Sequence, residues 1–564
     1  MALTDRLSVP DRLRLPHLPG LPALPGLPNL PAIPGLPAMP RPHYRVSHVK
    51  DIPVTMPDGV KLLTDRYIPV GVKNAPTILV RTPYGRRGVT GAINGYPFAY
   101  FGYQIVVQSV RGTFGSGGEF DPLNEQVDGL ATVEWLKRQP WFGGVFATYG
   151  PSYLGHTQWA VASKSGPEHK AMALSVTASQ FRDAIYIGGS FALESTLGWV
   201  SVTSKIENPL ELIRMRRRAA RAIRAGLPLE ELDAFTTGGN VPFFQELLTG
   251  HGLAENPFWD GRVHTSAICE DLPAAAMVGG WYDVFLPWMI KDYLAMRECG
   301  RQPQLTIGPW WHADPRHGLV AVRESLSWFR AHLKGDHRGL RDNPVRLFIT
   351  GAGEWREFAD WPVPDMKISR WHLHPGHAFR PDTPSDCAPE RYRYDPADPT
   401  PAYGGPALLG LSRPVDQRPA ERRPDLLVFT SEELRDDLEL IGPVGAELFV
   451  RSSRVHTDFI VRLCDVSPDG TSKNICEGGL RLNEHNSPPD GEGVRRVDLE
   501  LWPIGHRFKK GHRLRVHVSS GAYPKIASNP GTGEPLGSAR KAVAAEQEVF
   551  HDPSRPSALL LPVV

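Results

Sequence analysis

Cysteine is scarce in this chain of 564 residues, which contains only five. They are odd in number, widely separated and never spaced as C-x-x-C: Cys269, Cys299, Cys387, Cys464 and Cys476. Such a set supplies neither the paired cysteines of a disulfide framework nor the ligand spacing of a zinc site. The pattern therefore argues against both and favours a reducing compartment.

A dominant charge and long hydrophobic runs are also lacking. The chain has 63 Lys and Arg against 61 Asp and Glu, a net charge of +2, so no global field attracts nucleic acid. No apolar run approaches the roughly 20 residues of a membrane-spanning helix, and the N-terminus lacks the layout of a signal peptide. We therefore expect a cytoplasmic protein with no nucleic-acid partner and no integral membrane segment.

Proline, by contrast, is abundant near the N-terminus. It recurs at every third residue from Pro16 to Pro40, usually after leucine. This period matches the polyproline II helix, in which the leucines line a second edge. We predict that residues 1–43 form an exposed, semi-rigid extension. The alternative is that the leucine edge docks on a partner, on a neighbouring subunit of a homo-oligomer or on an envelope surface.

From Tyr44 onward the pattern is typical of an α/β protein. Buried-strand signals alternate with helix signals, which predicts a doubly wound parallel sheet. Helical signals then dominate, strand signals resume near residue 274, and short alternating strands separated by turns follow residue 367. The predicted divisions are a sheet domain in two parts (44–177 and 269–366), a helical insertion (178–268) and a β-sandwich (367–564).

The segment G-P-S-Y-L-G, from Gly150 to Gly155, follows an apolar stretch. A strand, a sharp turn carrying a serine and then a helix is the arrangement that exposes a serine nucleophile. The helix N-terminus favours negative charge developing near the serine oxygen. Ser152 is thus the candidate nucleophile, although the second glycine stands one position later than in the common G-x-S-x-G motif. The alternative is that Ser152 only caps the helix.

A serine nucleophile needs a base and an acidic residue that orients the base. In α/β-hydrolases these residues follow in the order Ser, Asp, His, on loops after later strands. Asp283 ends G-G-W-Y-D after one strand signal, and His312 ends G-P-W-W-H after the next. Position and order make Asp283 and His312 the candidates, with Asp292 and His317 as nearby rivals.

The negative oxygen formed during acyl transfer needs two hydrogen-bond donors. The backbone N–H of Tyr153, the residue after the nucleophile, is the first candidate. The loop after an early strand should supply the second. There the segment R-T-P-Y-G offers the hydroxyl of Tyr84, since no H-G-G-G run is present. A role for Tyr84 in loop packing is the alternative.

Taken together, these motifs resemble the cocaine-esterase-like hydrolases (the CocE/NonD group), which are related to X-Pro dipeptidyl-peptidases and α-amino-acid ester hydrolases. The likeness runs in order from about residue 45 to the C-terminus. The matching segments are R-T-P-Y-G (81–85), V-R-G-T-F-G-S-G-G-E-F (110–120), G-P-S-Y-L-G (150–155), G-G-W-Y-D (279–283), G-P-W-W-H (308–312), V-R-L-F-I-T-G-A-G-E-W (345–355), Y-D-P-A-D-P-T-P (394–401) and T-D-F-I-V-R-L-C-D-V-S-P-D-G (457–470).

The resemblance implies an α/β-hydrolase domain with an inserted helical cap and a C-terminal β jelly roll. It also implies roles for five residues: Ser152 as nucleophile, His312 as base, Asp283 as its orienting acid, and Tyr84 and Tyr153 as the oxyanion hole. Phe285 and Trp199 are candidate acyl-pocket aromatics, with core packing as the alternative for each. The cap matches the family weakly and the proline-rich segment has no counterpart in it, so the substrate does not carry over.

We predict a serine hydrolase that cleaves small-molecule esters through an acyl-enzyme. An X-Pro dipeptidyl-peptidase, or an acylase for β-lactams or amino-acid esters, is the alternative. Either would need a carboxylate for the substrate ammonium, for which Asp183, Glu194 and Glu207 are candidates. A non-catalytic binding protein is disfavoured by the complete site. The H-x-H-x-x-H at 372–377 suits a strand and turn better than a metal site, so no metal or cofactor is expected.

Overall fold

Two sheets hold nearly all the strands of the computed structural model, which describes residues 43–249, 256–408 and 412–564. The predicted proline-rich extension lies outside these residues except for its last position. In chain order the strands up to residue 358 are β1 (Val46–Thr55), β2 (Lys61–Pro69), β3 (Thr77–Thr82), β4 (Gln104–Ser109), β5 (Phe146–Pro151), β6 (His169–Ser175), β7 (Tyr186–Ile187), β8 (Ser190–Phe191), β9 (Ala274–Tyr282), β10 (Gln304–Trp311), β11 (Val345–Ile349) and β12 (Glu354–Phe358).

The first sheet has the strand order β1-β2-β4-β3-β5-β6-β9-β10-β11-β12. The seven strands from β4 to β11 in this order are mutually parallel, and the edge strands pair antiparallel. Every residue of β3 and of β4 is buried, as expected for strands covered on both faces by helices. The predicted parallel α/β sheet is confirmed, and the carboxyl ends of β5, β9 and β10 lie along one edge.

Ten α-helices lie among the strands of the first sheet in the described chain, and a short eleventh lies among those of the second. They are α1 (Gly88–Ala99), α2 (Gln126–Lys137), α3 (Tyr153–Ala162), α4 (Arg182–Ile185), α5 (Leu193–Ser204), α6 (Pro209–Arg224), α7 (Leu229–Thr237), α8 (Pro242–Leu248), α9 (Leu286–Glu298), α10 (Pro315–Lys334) and α11 (Arg418–Glu421). Helices α1, α3, α9 and α10 contact the first sheet. No helix of the described residues is long and apolar enough to cross a membrane.

The segment between β6 and β9 contains α4 to α8, in agreement with the helical signals there. It also contains the β7–β8 hairpin, which the sequence analysis did not predict. Each hairpin strand is two residues long, too short to give an alternating pattern. The hairpin turn, Gly188 and Gly189, lies against the C-terminal strands, since the Arg481 backbone N–H donates to the Gly188 carbonyl.

The second sheet contains the strands that follow residue 366. They are β13 (Lys367–His374), β14 (Ala378–Arg380), β15 (Glu390–Tyr394), β16 (Leu426–Thr430), β17 (Leu438–Ser452), β18 (Thr457–Val466), β19 (Ser472–Leu482), β20 (Arg495–Phe508), β21 (Arg513–Ser519), β22 (Ala545–Phe550) and β23 (Ala558–Val563). All pair antiparallel except β14 with β16. A strand-rich C-terminal region is therefore confirmed, while the domain boundaries stay predictions.

One cysteine pair corrects the sequence analysis. Cys269 and Cys299 form a disulfide, although the scattered cysteines argued against paired ones. Cys269 precedes β9 and Cys299 is the C-cap residue of α9. Because α9 runs back along β9, its end lies near the start of the strand, and the two Cα atoms are 5.5 Å apart. The other three cysteines are free. Sequence spacing did not reveal the pair because 30 residues separate its members.

Candidate active site

Ser152 stands at the sharp turn between β5 and α3. Its backbone adopts φ 56° and ψ −125°, a strained conformation for a residue other than glycine. Gly150 has φ +151°, and a Cβ there would lie 2.3 Å from the Leu154 Cβ. Strain concentrated at one serine between a strand and a helix is typical of an exposed nucleophile.

The position of the second glycine, Gly155, one residue later than in the common motif, is explained by a close contact. A Cβ on Gly155 would lie 2.3 Å from the Cγ2 of Thr177, which follows β6. The Thr177 hydroxyl donates a hydrogen bond of 2.8 Å to the Ser152 carbonyl, and this contact holds the loop against the turn. The close approach therefore falls three residues after the serine, and Leu154 occupies the position where the common motif has glycine.

Ser152, His312 and Asp283 form a hydrogen-bonded series. The His312 Nε2 lies 3.0 Å from the Ser152 Oγ, and the His312 Nδ1 lies 2.6 Å from the Asp283 Oδ2. The Asp283 side chain is 1% exposed, and its Oδ1 accepts a hydrogen bond from the Phe285 backbone N–H. The Trp502 indole of β20 donates to the Asp283 carbonyl at 3.0 Å. The second sheet thus helps to hold the aspartate loop.

The rivals named in the sequence lie apart from this series. His317 is buried, and its Nε2 lies 2.5 Å from the Ser175 Oγ. Burial lowers the pKa of His317 to about 4. Asp292 accepts hydrogen bonds from the backbone N–H and the hydroxyl of Ser179, and burial raises its pKa to about 7. Among the described hydrogen bonds, none joins either residue to Ser152, His312 or Asp283, although the charges of Asp283 and His312 also act on the pKa of His317.

Tyr84 and Tyr153 both lie beside Ser152. The Tyr84 hydroxyl accepts a hydrogen bond of 3.0 Å from the Trp199 indole, and the nearby Ser152 side chain also acts on its pKa. Burial raises its pKa to about 12, so the phenol keeps its proton at neutral pH. Tyr153 is the first residue of α3, where the backbone N–H has no partner within the helix. Two donors are therefore available near the serine oxygen.

A buried ion pair behind Tyr153 was missed by the sequence analysis. The Tyr153 hydroxyl donates to the Glu125 Oε1 at 2.7 Å, and the Glu125 Oε2 lies 2.8 Å from the Arg81 guanidinium. Both charged side chains are almost fully buried. The pair therefore fixes the side chain of Tyr153, the residue that follows Ser152. Arg81 of R-T-P-Y-G was the available signal, because a buried strand rarely ends in an unpaired arginine.

Ser152 opens onto a small cavity of about 50 Å³ whose walls are mostly apolar. None of the described lining residues is charged; they are Leu123, Ser152, Phe181, Ala184, Ile185, Ser195, Thr196, Trp199, Phe243, Val284, Phe285 and Leu408. The structure thus places Trp199 and Phe285, the two aromatics named from the sequence, in this wall. A larger cleft of about 1040 Å³ shares the lining residues Trp199 and Phe243 with this cavity and carries charged residues, Glu207 and Arg262 among them.

No group of three or more His, Cys, Asp and Glu side chains is placed to hold a metal ion within the described ranges. In the H-x-H-x-x-H segment, the His374 Nε2 lies 2.9 Å from the Asp382 carbonyl, and the Nδ1 lies 3.0 Å from the Arg380 guanidinium. His374 therefore has local partners on the adjacent hairpin.

An α/β fold with a serine on a strained turn, in series with a histidine and a buried aspartate, is characteristic of serine hydrolases. Residues 58–314 match the family model described as X-Pro dipeptidyl-peptidase (S15 family), and residues 339–560 match the X-Pro dipeptidyl-peptidase C-terminal non-catalytic domain. A cocaine esterase of Rhodococcus sp. (strain MB1 Bresler) is 31% identical over 92% of this chain and 99% of its own length. The chain belongs to this family of cocaine-esterase-like (CocE/NonD) serine hydrolases.

Solved structures show the same fold. An α-amino acid ester hydrolase superposes with a TM-score of 0.78 at 23% identity, covering 95% of this chain and 100% of the other. An aminopeptidase from a marine sediment Thaumarchaeota archaeon gives 0.77 at 23% identity, covering 94% and 99%. The likeness therefore extends over both sheets and the helical segment between them.

Proposed function

We propose that this chain is an esterase that cleaves small-molecule esters with an apolar acyl group through a covalent intermediate on Ser152. The observation that carries the proposal is the series Asp283–His312–Ser152, which opens onto an uncharged cavity. The cocaine esterase relative supports an ester as the substrate class.

The geometry supports an acyl-transfer cycle in two halves. The His312 Nε2 takes the proton of the Ser152 hydroxyl as the Oγ attacks the ester carbonyl, and Asp283 stabilises the resulting imidazolium through Nδ1. His312 then gives this proton to the departing alkoxide, which leaves as the alcohol. Water, deprotonated by His312, attacks the acyl-enzyme; the acid is released and the serine recovers its proton.

Tyr84 and Tyr153 are the proposed oxyanion hole. The Tyr84 hydroxyl donates from one side, and the Tyr153 backbone N–H donates at the start of α3, where the helix dipole favours negative charge. In this scheme Phe285 and Trp199 are acyl-pocket walls, which provide apolar surface beside the reacting carbonyl.

The acidic residues considered for an aminopeptidase or acylase are not among the described residues that line the cavity. Asp183 pairs with the Arg182 guanidinium at 2.8 Å, and Glu207 accepts a hydrogen bond from the Phe114 backbone N–H in the larger cleft. Glu194 is not among the residues that line the Ser152 cavity, and the Leu408 N–H bonds to Ser195 at its edge. A substrate ammonium would find no carboxylate among these described walls, so an ester without a free α-amino group fits best.

The same proposal assigns roles to the other parts of the chain. Helices α4–α8 would act as a cap over the cavity, and β13–β23 would form a jelly roll that supports the aspartate loop through Trp502. The cytoplasmic location and the homo-oligomer through the proline-rich extension stay predictions.

A substrate panel with two serine variants tests the proposal. Wild-type protein should hydrolyse p-nitrophenyl butyrate with a much higher kcat/KM than Ala-Pro-p-nitroanilide, and a fluorophosphonate should label Ser152 in a peptide-mapping experiment. Ser152→Ala should abolish both reactions, while Ser175→Ala, a matched buried serine bonded to His317, should keep them. Retained turnover or labelling in pure Ser152→Ala would refute the assignment, and a preference for the anilide would refute the substrate class.

A further inference from the structure

Trp199 is a cavity residue whose contacts reach both tyrosines of the proposed oxyanion hole. It belongs to α5 of the inserted segment, and its Nε1 lies 3.0 Å from the Tyr84 hydroxyl oxygen. Its ring stacks on the ring of Tyr153, with centroids 5.9 Å apart and an angle of 13° between the planes. Phe243 of α8 packs edge-on against the indole, with centroids 5.9 Å apart. The indole is therefore held in place by contacts with two aromatic rings.

The direction of the hydrogen bond between Trp199 and Tyr84 is fixed by chemistry. An indole N–H can only donate, so the Tyr84 oxygen must accept. The phenol remains protonated at neutral pH because burial raises its pKa to about 12. Since one lone pair of the oxygen is engaged by Trp199, the phenolic proton must point elsewhere, and the Ser152 side chain lies near the hydroxyl.

A hydroxyl that accepts a hydrogen bond also becomes a stronger donor. Accepting a bond polarises the O–H group, and chains of hydrogen bonds in a low-dielectric site strengthen one another by roughly 10–30% per bond. The donor facing the oxyanion is worth most when its orientation is set before the charge develops. An indole anchored by Tyr153 and Phe243 provides such an orientation.

We propose that Trp199 is a positioning residue, whose indole N–H holds the Tyr84 hydroxyl with its proton directed at the oxyanion. The proposal rests on the esterase function proposed above. It gives Trp199 a part in the chemical step in addition to its place in the cavity wall. It also places a requirement on the inserted segment. The oxyanion hole is complete only when α5 lies against the loop after β3.

A double-mutant cycle separates this role from that of a cavity wall. Trp199→Phe keeps an aromatic ring in place and removes the N–H, and Tyr84→Phe removes the hydroxyl that it contacts. We would measure kcat and KM for p-nitrophenyl butyrate in wild type, both single variants and the double variant. End-point titration with a fluorophosphonate would correct each rate for the fraction of competent protein. Phe285→Leu, on the wall beside His312, is the control substitution in both backgrounds.

We expect Tyr84→Phe to lower kcat by about 10²–10³-fold, the usual cost of one oxyanion donor. Trp199→Phe should lower kcat by about tenfold in the wild-type background and should have no further effect when Tyr84→Phe is present, because the acceptor is gone. Phe285→Leu should have the same effect in both backgrounds. An equal loss from Trp199→Phe in both backgrounds, or an unchanged kcat in wild type, would overturn the proposal.

If Trp199→Phe does not fold, replacement of the tryptophan by 3-benzothienylalanine answers the same question. This analogue keeps the bicyclic shape and has sulfur in place of N–H. The same kcat loss is expected, again abolished by Tyr84→Phe. The two proposals fail in different ways. If Ser152 is not the nucleophile, Ser152→Ala will still turn over the ester. If Trp199 does not position Tyr84, the effects of Trp199→Phe and Tyr84→Phe on kcat will simply be additive.

Discussion

Two sets of serine, histidine and aspartate lie near one another at the carboxyl edge of the first sheet, and only one is joined into a series. In the first, His312 bridges Ser152 and Asp283. The second is divided, because among the described hydrogen bonds the His317 side chain bonds only to Ser175 and the Asp292 side chain only to Ser179. Residue types are similar in the two sets, but Ser152 and His312 are only partly buried, whereas every member of the second set is buried. The two sets therefore differ both in their access to the cavity and in their partners.

The partners determine what each side chain can do. His312 has a carboxylate on one ring nitrogen and a hydroxyl on the other, which suits a base that must carry a positive charge for a moment. His317 has no carboxylate partner in its hydrogen bonding, and burial lowers its pKa to about 4, so it stays neutral. Asp292 has only neutral donors, and burial raises its pKa to about 7. The comparison teaches that a buried acid becomes useful to a base only when the two are in direct contact.

The largest effect is expected when each of the two histidines is replaced by alanine in turn. His312→Ala should lower kcat by about 10⁶-fold, the scale of removing a triad histidine, with little change in melting temperature. His317→Ala should retain most of its activity and lose stability instead, because a buried hydrogen bond and its packing disappear. Steady-state kinetics and thermal melts on both variants check this. Comparable losses of kcat in His312→Ala and His317→Ala would show that the two sets do not differ in function.

The aspartates provide the next test. Asp283→Asn should lower kcat by about 10⁴-fold, because an amide no longer holds His312 in the tautomer that accepts the serine proton. Asp292→Asn should stay near the wild-type rate, since the amide can replace a carboxyl that is half protonated near pH 7. Rates with one ester at fixed pH are sufficient. A large loss in Asp292→Asn would mean that the second set contributes to the reaction.

The smallest expected effect is the pH dependence of stability at Asp292. Its pKa is raised from 3.8 to about 7 in the folded protein, so between these pH values the folded state holds a proton that the unfolded state has lost. Stability from this group is therefore greatest below pH 4, falls as pH rises to about 7 and is constant above. Over this pH interval the free energy of unfolding should fall by about 4 kcal/mol at most.

Asp292→Asn lacks this dependence. The melting temperature of the variant relative to wild type should rise by several degrees between pH 5 and pH 8, as measured by differential scanning fluorimetry. Glu298→Gln, at the end of the same helix, serves as the control and should show no such trend. Parallel curves for Asp292→Asn and wild type would show that Asp292 is already ionised at pH 5.

Much of the arrangement could be predicted from the sequence because parallel strands bring distant segments to one edge. Ser152, Asp283 and His312 each follow a buried strand, so their meeting depended on strand order alone. The contacts of side chains across the fold could not be predicted in this way. The Trp199–Tyr84 hydrogen bond spans 115 residues, and the Arg81–Glu125 pair supports Tyr153 from behind. Neither contact can be recognised from residue spacing in the sequence, because each depends on how a loop packs.

Trp502 has a consequence for how this family can be recombined. Its indole, on β20 of the second sheet, donates to the backbone carbonyl of Asp283, 219 residues earlier in the chain. A chimera that joins the first 366 residues of this chain to the strands of a relative would inherit whatever residue that relative presents to the aspartate loop. The two halves are therefore not interchangeable parts, and compatibility at this single bond is the first property to inspect in any such exchange.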